Sequence, residues 1–176
     1  MALSSYWMLP RAAFDWIEST IPKGDVVLEF GSGEGSISLA QHYDLISVEH
    51  DEGWIGHAKN STYHFAPIAH NSVSEQHGDV GWYEPAFFDA LPSFVSLILI
   101  DGPPGRIGRT GMLAHLERLP DWRYMLVDDT DRKAEANLSR KLQDYFHCQR
   151  QRVETSEKKF DGSIRMFDLL SRRMVP

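Results

Sequence analysis

The chain has 176 residues, 42% hydrophobic, 24% charged and 11% aromatic. That is one globular domain by length and composition, and it excludes a disordered tail, a collagen-like fibre and a low-complexity linker. Eighteen basic residues against twenty-five acidic ones leave a formal charge of −7, which repels polyanions and argues against a nucleic-acid partner. Cys148 is the single cysteine, so no internal disulfide and no all-cysteine metal site can form. Residues 1–10 lack a basic segment followed by a long apolar run, and the longest apolar stretches are strand-sized. The expectation is no signal peptide, no membrane span and a cytoplasmic location.

Short β-rich runs alternate with helical stretches. Pro10 followed by Ala13, Phe14, Ile17 and Ile21 predicts an amphipathic first helix, with proline near its first turn. Residues 26–30 read as a buried strand cut off by a glycine-rich turn. A helix starts at 37–42, a second strand covers 45–49 and a helix covers 52–60. Residues 63–68 form a weakly marked third strand, and 71–94 carry no clear assignment. Residues 95–100 are the clearest strand, stopped by Asp101-Gly102-Pro103-Pro104-Gly105. Met112, Leu113 and Leu116 suit a short helix, and 124–127 a fifth strand ending in Asp128-Asp129. Ala134, Leu138, Leu142 and Phe146 recur at four-residue steps on one helical face. Residues 151–155 and 164–170 make a terminal strand pair, with one strand antiparallel because no helix separates them. Strands separated by helices imply a mostly parallel α/β sheet with right-handed crossovers. In such sheets ligands sit at the carboxyl ends of strands.

The densest cluster is Glu29-Phe30-Gly31-Ser32-Gly33-Glu34-Gly35-Ser36, between a strand and a helix. Glycines there allow a tight turn and a close approach of ligand to backbone. The spacing is Gly-x-Gly-x-Gly, and Ser36 stands where the dinucleotide fingerprint has its third glycine. Glu29 gains nothing from a pyrophosphate but favours a cationic ammonium or sulfonium, which points to S-adenosylmethionine rather than NAD. Glu49 closes the second strand, eighteen residues after Gly31, where a carboxylate can accept both ribose hydroxyls of an adenosine.

With Val48-Glu49-His50-Asp51, this turn resembles the first two motifs of class I S-adenosylmethionine-dependent methyltransferases. The resemblance covers nearly the whole chain. It implies a Rossmann-like seven-stranded, mostly parallel sheet with helices on both faces and a C-terminal antiparallel hairpin. It places Glu29, Gly31, Ser32, Gly33 and Gly35 around the methionine end, with Asp101 beside them. It places Glu49 on the ribose with His50 next to it, and Trp54 or a side chain near Asn71-Ser72 on the adenine. The chain has little N-terminal or inserted material for a lid. An open, small-molecule substrate site follows, or closure by a second subunit of a homodimer.

Asp101 ends the fourth strand, and Asp128 and Asp129 end the fifth. Adjacent strand ends lie about 5 Å apart, so three carboxylates converge, and like charges that close are costly. Either some of the acids stay protonated, or cations compensate. A Mg²⁺ or Ca²⁺ ion with oxygen ligands would compensate them; alternatively the acids cap local turns and pair with Arg132. The positions resemble the metal-dependent O-methyltransferases of the same family. That resemblance assigns Asp101, Asp128 and Asp129 to the ion and Asp101 and Asp128 to catalysis. The following loop, Gly102 to Arg109, carries two prolines and two arginines suited to an anionic or polyol substrate. It is loosely similar, over about a dozen residues, to a stretch of glucuronoxylan O-methyltransferases. Its arginines equally suit solvated pairing with nearby acids. His50 and His70 are alternative bases, and the histidine spacing fits no zinc pattern. Trp82-Tyr83 and Phe87-Phe88 form an aromatic patch for core or dimer contact. Lys158-Lys159 and Arg172-Arg173 are too few for a nucleic-acid stripe.

The leading expectation is methylation of a hydroxyl on a small or sugar-acid-like molecule. The rivals are an NAD-type Rossmann oxidoreductase, disfavoured by Glu29 and Ser36, and a non-catalytic Rossmann module.

Overall fold

The computed structural model describes residues 8–172. The leader reading of residues 1–7, and Arg173, lie outside them. Among the described residues no helix is long and apolar enough to cross a membrane.

Helix α1 (Arg11–Thr20) begins directly after Pro10, buries Ala13, Phe14 and Ile17, and stops before Pro22. Each such large side chain withdrawn from water contributes roughly 1.5–3 kcal/mol. Strand β1 (Val26–Phe30) is buried along nearly all its length. Helix α2 (Glu34–Leu39) starts earlier than its apolar residues suggest, because the Ser36 hydroxyl accepts the Gly33 N–H at 3.0 Å and fixes the turn. Strand β2 (Asp44–Glu49) follows. The helix expected at 52–60 is a single 3₁₀ turn, Glu52–Trp54. Gly56 has φ 76°, a left-handed conformation that breaks a right-handed helix.

The third strand is also shorter than expected. It divides at Ala66-Pro67 into β3 (Thr62–Phe65), which joins the main sheet, and β4 (Ile68–Ala69), which leaves it. The unassigned stretch holds helix α3 (Ser72–His77), strand β5 (Trp82–Tyr83) paired with β4, and a 3₁₀ helix Pro85–Ala90. Trp82, Tyr83, Phe87 and Phe88 are all buried and gather around Phe30, so the aromatic patch is core. Strand β6 (Phe94–Ile100) leads to a 3₁₀ segment at Thr110–Arg118. Strand β7 (Asp121–Val127), helix α4 (Lys133–Phe146), β8 (Gln149–Lys158) and β9 (Ile164–Ser171) complete the chain.

Among these residues seven strands form one sheet in the order β3-β2-β1-β6-β7-β9-β8. The pairs among β3, β2, β1, β6 and β7 are parallel; β9 runs antiparallel between β7 and β8. Successive β1 residues serve opposite faces. Val27 packs with Ala13, Phe14, Ile17 and Leu39 from α1 and α2; Leu28 and Phe30 pack with Leu138 and Leu142 of α4 and with the aromatic cluster. This is the Rossmann-like sheet, helices on both faces and terminal hairpin that the sequence led us to expect. Strand order reverses between β1 and β6, the position where open α/β sheets bind ligands.

Candidate active site

The carboxyl ends of β1, β2, β6 and β7 open into one cleft of about 1520 Å³. A single small ligand usually occupies roughly 300–1,000 Å³, so this cleft has room for a cofactor and an acceptor together.

At its floor two backbones cross. Gly31 has φ 91°, and a Cβ there would lie 2.7 Å from Gly102 Cα, so only glycine fits. The Gly31 N–H donates to the Val48 carbonyl and the Asp101 N–H to the Phe30 carbonyl, locking three strand ends together. Gly35 serves packing instead: a Cβ would meet the Phe14 ring of α1 at 3.0 Å. Gly31 and Ser32 line the large cleft, whereas Gly33 and Gly35 face a small adjoining cavity.

Glu49 is 3% exposed and lines the cleft. Its Oε2 accepts the Ser32 N–H at 2.8 Å, and its Oε1 accepts the N–H groups of His50 and Asp51 at 2.6 and 2.7 Å. The carboxylate therefore fixes the glycine turn, and Oε2 keeps a lone pair for a ligand hydroxyl. His50 Nδ1 sits 2.7 Å from Glu49 Oε1 without hydrogen-bond geometry, which puts the imidazole at the Glu49 end. Trp54 and Asp51 line the cleft nearby. Asn71 does not line it; it caps α3 by accepting the Ser74 N–H and donating to the Gly111 carbonyl.

Glu29 lies beneath the turn and lines the small cavity, with Leu9 across from it. It accepts from the Ser47 hydroxyl at 2.6 Å, and burial raises its pKa to about 8. That cavity shares Leu9, Gly31 and Asp101 with the main cleft, and the expectation that Glu29 presents a charge is corrected in one respect: it holds a proton at neutral pH.

The three expected acids do converge, with carboxylate oxygens of Asp101, Asp128 and Asp129 all within 4.8 Å of one another. Four cations converge with them. Arg109, 3% exposed, donates to Asp129 Oδ2 at 3.0 Å, to the carbonyls of Pro103 and Asp128 at 3.1 Å, and to the Asp101 carbonyl. Arg132 reaches Asp129 Oδ2 at 3.2 Å, Lys159 reaches its Oδ1 at 2.8 Å, and Arg165 reaches Asp128 Oδ2 at 3.4 Å. Burial opposes the Asp129 charge, but Arg109, Lys159 and Arg132 outweigh it and hold that carboxyl below its usual range. Burial and the neighbouring acids push Asp128 well up; burial also raises Asp101.

This donor set does not fit a divalent ion. Both oxygens of Asp129 are taken, and a guanidinium already supplies the charge and donors that the acids require. The metal ligation expected of Asp101, Asp128 and Asp129 gives way to an arginine-centred network. Titration with Mg²⁺ is accordingly expected to leave the thermal unfolding temperature unchanged; a ligand bound only by the folded state would raise it.

In the sequence Arg109 suits either an anionic substrate or pairing with nearby acids, and the structure shows the pairing because its loop folds inward: Asp79 accepts the N–H and hydroxyl of Thr110, and Gly108 wraps the Asp79 carboxylate with φ 95°. Two other participants were not legible in the sequence: Lys159 and Arg165 come from the terminal hairpin. The chain before α1 also reaches the site. Met8 and Leu9 line the cleft, the Met8 carbonyl accepts from Arg165 at 2.7 Å, and the Arg11 N–H donates to Glu157 at 2.5 Å. Residues just before α1 therefore border the ligand space.

Solved structures share this architecture. The O-methyltransferase TomG from Streptomyces achromogenes, in complex with S-adenosylmethionine, aligns over 94% of this chain and 82% of its own, with TM-score 0.58 at 13% identity. The fold is the methyltransferase fold. Magnesium protoporphyrin IX methyltransferase from Synechocystis, also with bound S-adenosylmethionine, covers 92% of this chain and 77% of its own (TM-score 0.53, 17% identity). An rRNA methylase from Streptococcus thermophilus covers 94% and 98% (TM-score 0.57, 10% identity). No protein-family model and no curated sequence matches the chain. Within the methyltransferase fold, Gly31, Glu49 and Asp101 stand at the ends of the three strands around the switch point.

Proposed function

We propose that the protein is an S-adenosylmethionine-dependent methyltransferase, a single domain, that methylates an oxygen of a small hydroxylated or sugar-acid-like molecule. The observation that carries this reading is the Gly31 turn tied to the Glu49 carboxylate at the switch point of a methyltransferase fold, facing a cleft with room for two ligands. Gly31 and Ser32 bring backbone to the methionine end, Glu49 receives the ribose and Trp54 borders the adenine. Asp101, whose side chain is 29% exposed against 2% for Asp128, is the acid an acceptor can reach. It takes the acceptor's hydroxyl proton as the oxygen attacks the methyl carbon. The sulfur–methyl bond breaks, and S-adenosylhomocysteine leaves as a neutral thioether. Alignment of the two ligands supplies most of the acceleration, which can be worth roughly 7–11 kcal/mol. Asp128 and Asp129 hold Arg109 and Asp101 in place, and no step runs through a metal. The net charge of −7 favours a small acceptor over a nucleic acid.

Glu49→Ala is expected to weaken S-adenosylhomocysteine binding by about 1–3 kcal/mol, roughly ten- to a hundredfold, measured by calorimetry. Unchanged affinity would remove Glu49 from the cofactor site.

A further inference from the structure

Three cations that the fold does not neutralise line the cleft from three different elements. Arg106 stands on the loop after β6, Lys133 in the first turn of α4 and Lys158 at the end of β8. All three are exposed, and no ion pair joins them to an acid among the described residues. The acids around them are taken: Asp129 and Asp131 hold Lys159, and Glu135 holds Arg132.

The start of α4 carries two cations beside a single acid, Glu135. The helix dipole favours acids there, yet Arg132 occupies the cap position and Lys133 follows, with no side-chain capping bond. An anion seated among these cations removes that conflict. A buried acid that lines the same cleft supplies an independent observation. Glu135 is 3% exposed, and its Oε2 has no hydrogen-bond partner among the described residues. A buried oxygen of this kind calls for a donor, which a hydroxylated ligand carries.

We infer that the methyl acceptor is a small hydroxylated anion whose carboxylate or phosphate is held by Arg106, Lys133 and Lys158. The inference rests on the methyltransferase reading and deepens it. The net charge of −7 limits the length of the anion, since a polyanion would meet repulsion beyond this patch.

The test is calorimetric titration of the full chain, loaded with S-adenosylhomocysteine, with glycerol, glycerate and glycerol 3-phosphate. At least one anion is expected to bind about tenfold or more tighter than glycerol, and the pair separates carboxylate from phosphate. In the double variant Lys133→Gln, Lys158→Gln that preference is expected to vanish while the thermal unfolding temperature stays unchanged, both side chains being exposed. Equal affinity for all three probes, or a preference that survives the double substitution, overturns the inference. Failure of S-adenosylhomocysteine to bind would overturn the methyltransferase reading instead, and the same titration of the unloaded chain would still read the anion site.

Discussion

Arg109→Ala should cost about 3–5 kcal/mol of stability, the range found when one partner of a buried ion pair is removed. The guanidinium is buried and its three nitrogens are all engaged, with Asp129, with Asp101 and with carbonyls of Pro103 and Asp128. The truncated side chain would leave Asp129 with Arg132 and Lys159 alone and strand those carbonyls without donors, each at about 1–3 kcal/mol. Arg109→Lys should recover only part, because an ammonium offers a point charge in place of a planar fork. Urea unfolding measures both variants. A loss below about 1 kcal/mol for Arg109→Ala would show that the network does not hold the two strand ends together.

The second large effect concerns Glu29. An acid whose pKa rises from 4.5 to about 8 on folding keeps its proton in the folded chain over a window where the unfolded chain has lost it. Its contribution is therefore fully present below pH 4.5, falls as pH climbs through that window, and levels off above about 8. Across the whole window the loss approaches about 5 kcal/mol. Glu29→Gln keeps an acceptor for the Ser47 hydroxyl and has no proton to lose. The variant should match the parent at pH 4 and exceed its stability by several kcal/mol at pH 9. Asp128 and Asp101 add slopes of the same sign in both proteins, so the difference between the two curves isolates Glu29. Parallel curves would mean that Glu29 is ionised in the fold.

The sheet was legible because its signal is local. The buried strands β1, β2, β6 and β7 are short apolar runs ended by turn residues, and the reading at Gly31, Glu49 and Asp101 combined strand ends with the glycine spacing and the family resemblance. What failed had non-local causes. Residues 52–60 have helix-like composition but Gly53 and Gly56 at the wrong places. The β4–β5 pair, with α3 between its strands, exists because Trp82 and Tyr83 pack on Phe30, more than fifty residues earlier in the chain. The acid cluster was foreseen from strand spacing, but Arg165 and Lys159 reach it only because β9 inserts between β7 and β8. Glu29 was read by its charge, and its burial removes that charge.

The most direct test of the central claim is calorimetry of the purified chain with S-adenosylmethionine and with NAD⁺, in parallel and without added metal. The account predicts that S-adenosylmethionine binds at one site per chain, and that NAD⁺ binds at least about a hundredfold more weakly. Binding of NAD⁺ with none of S-adenosylmethionine would contradict it.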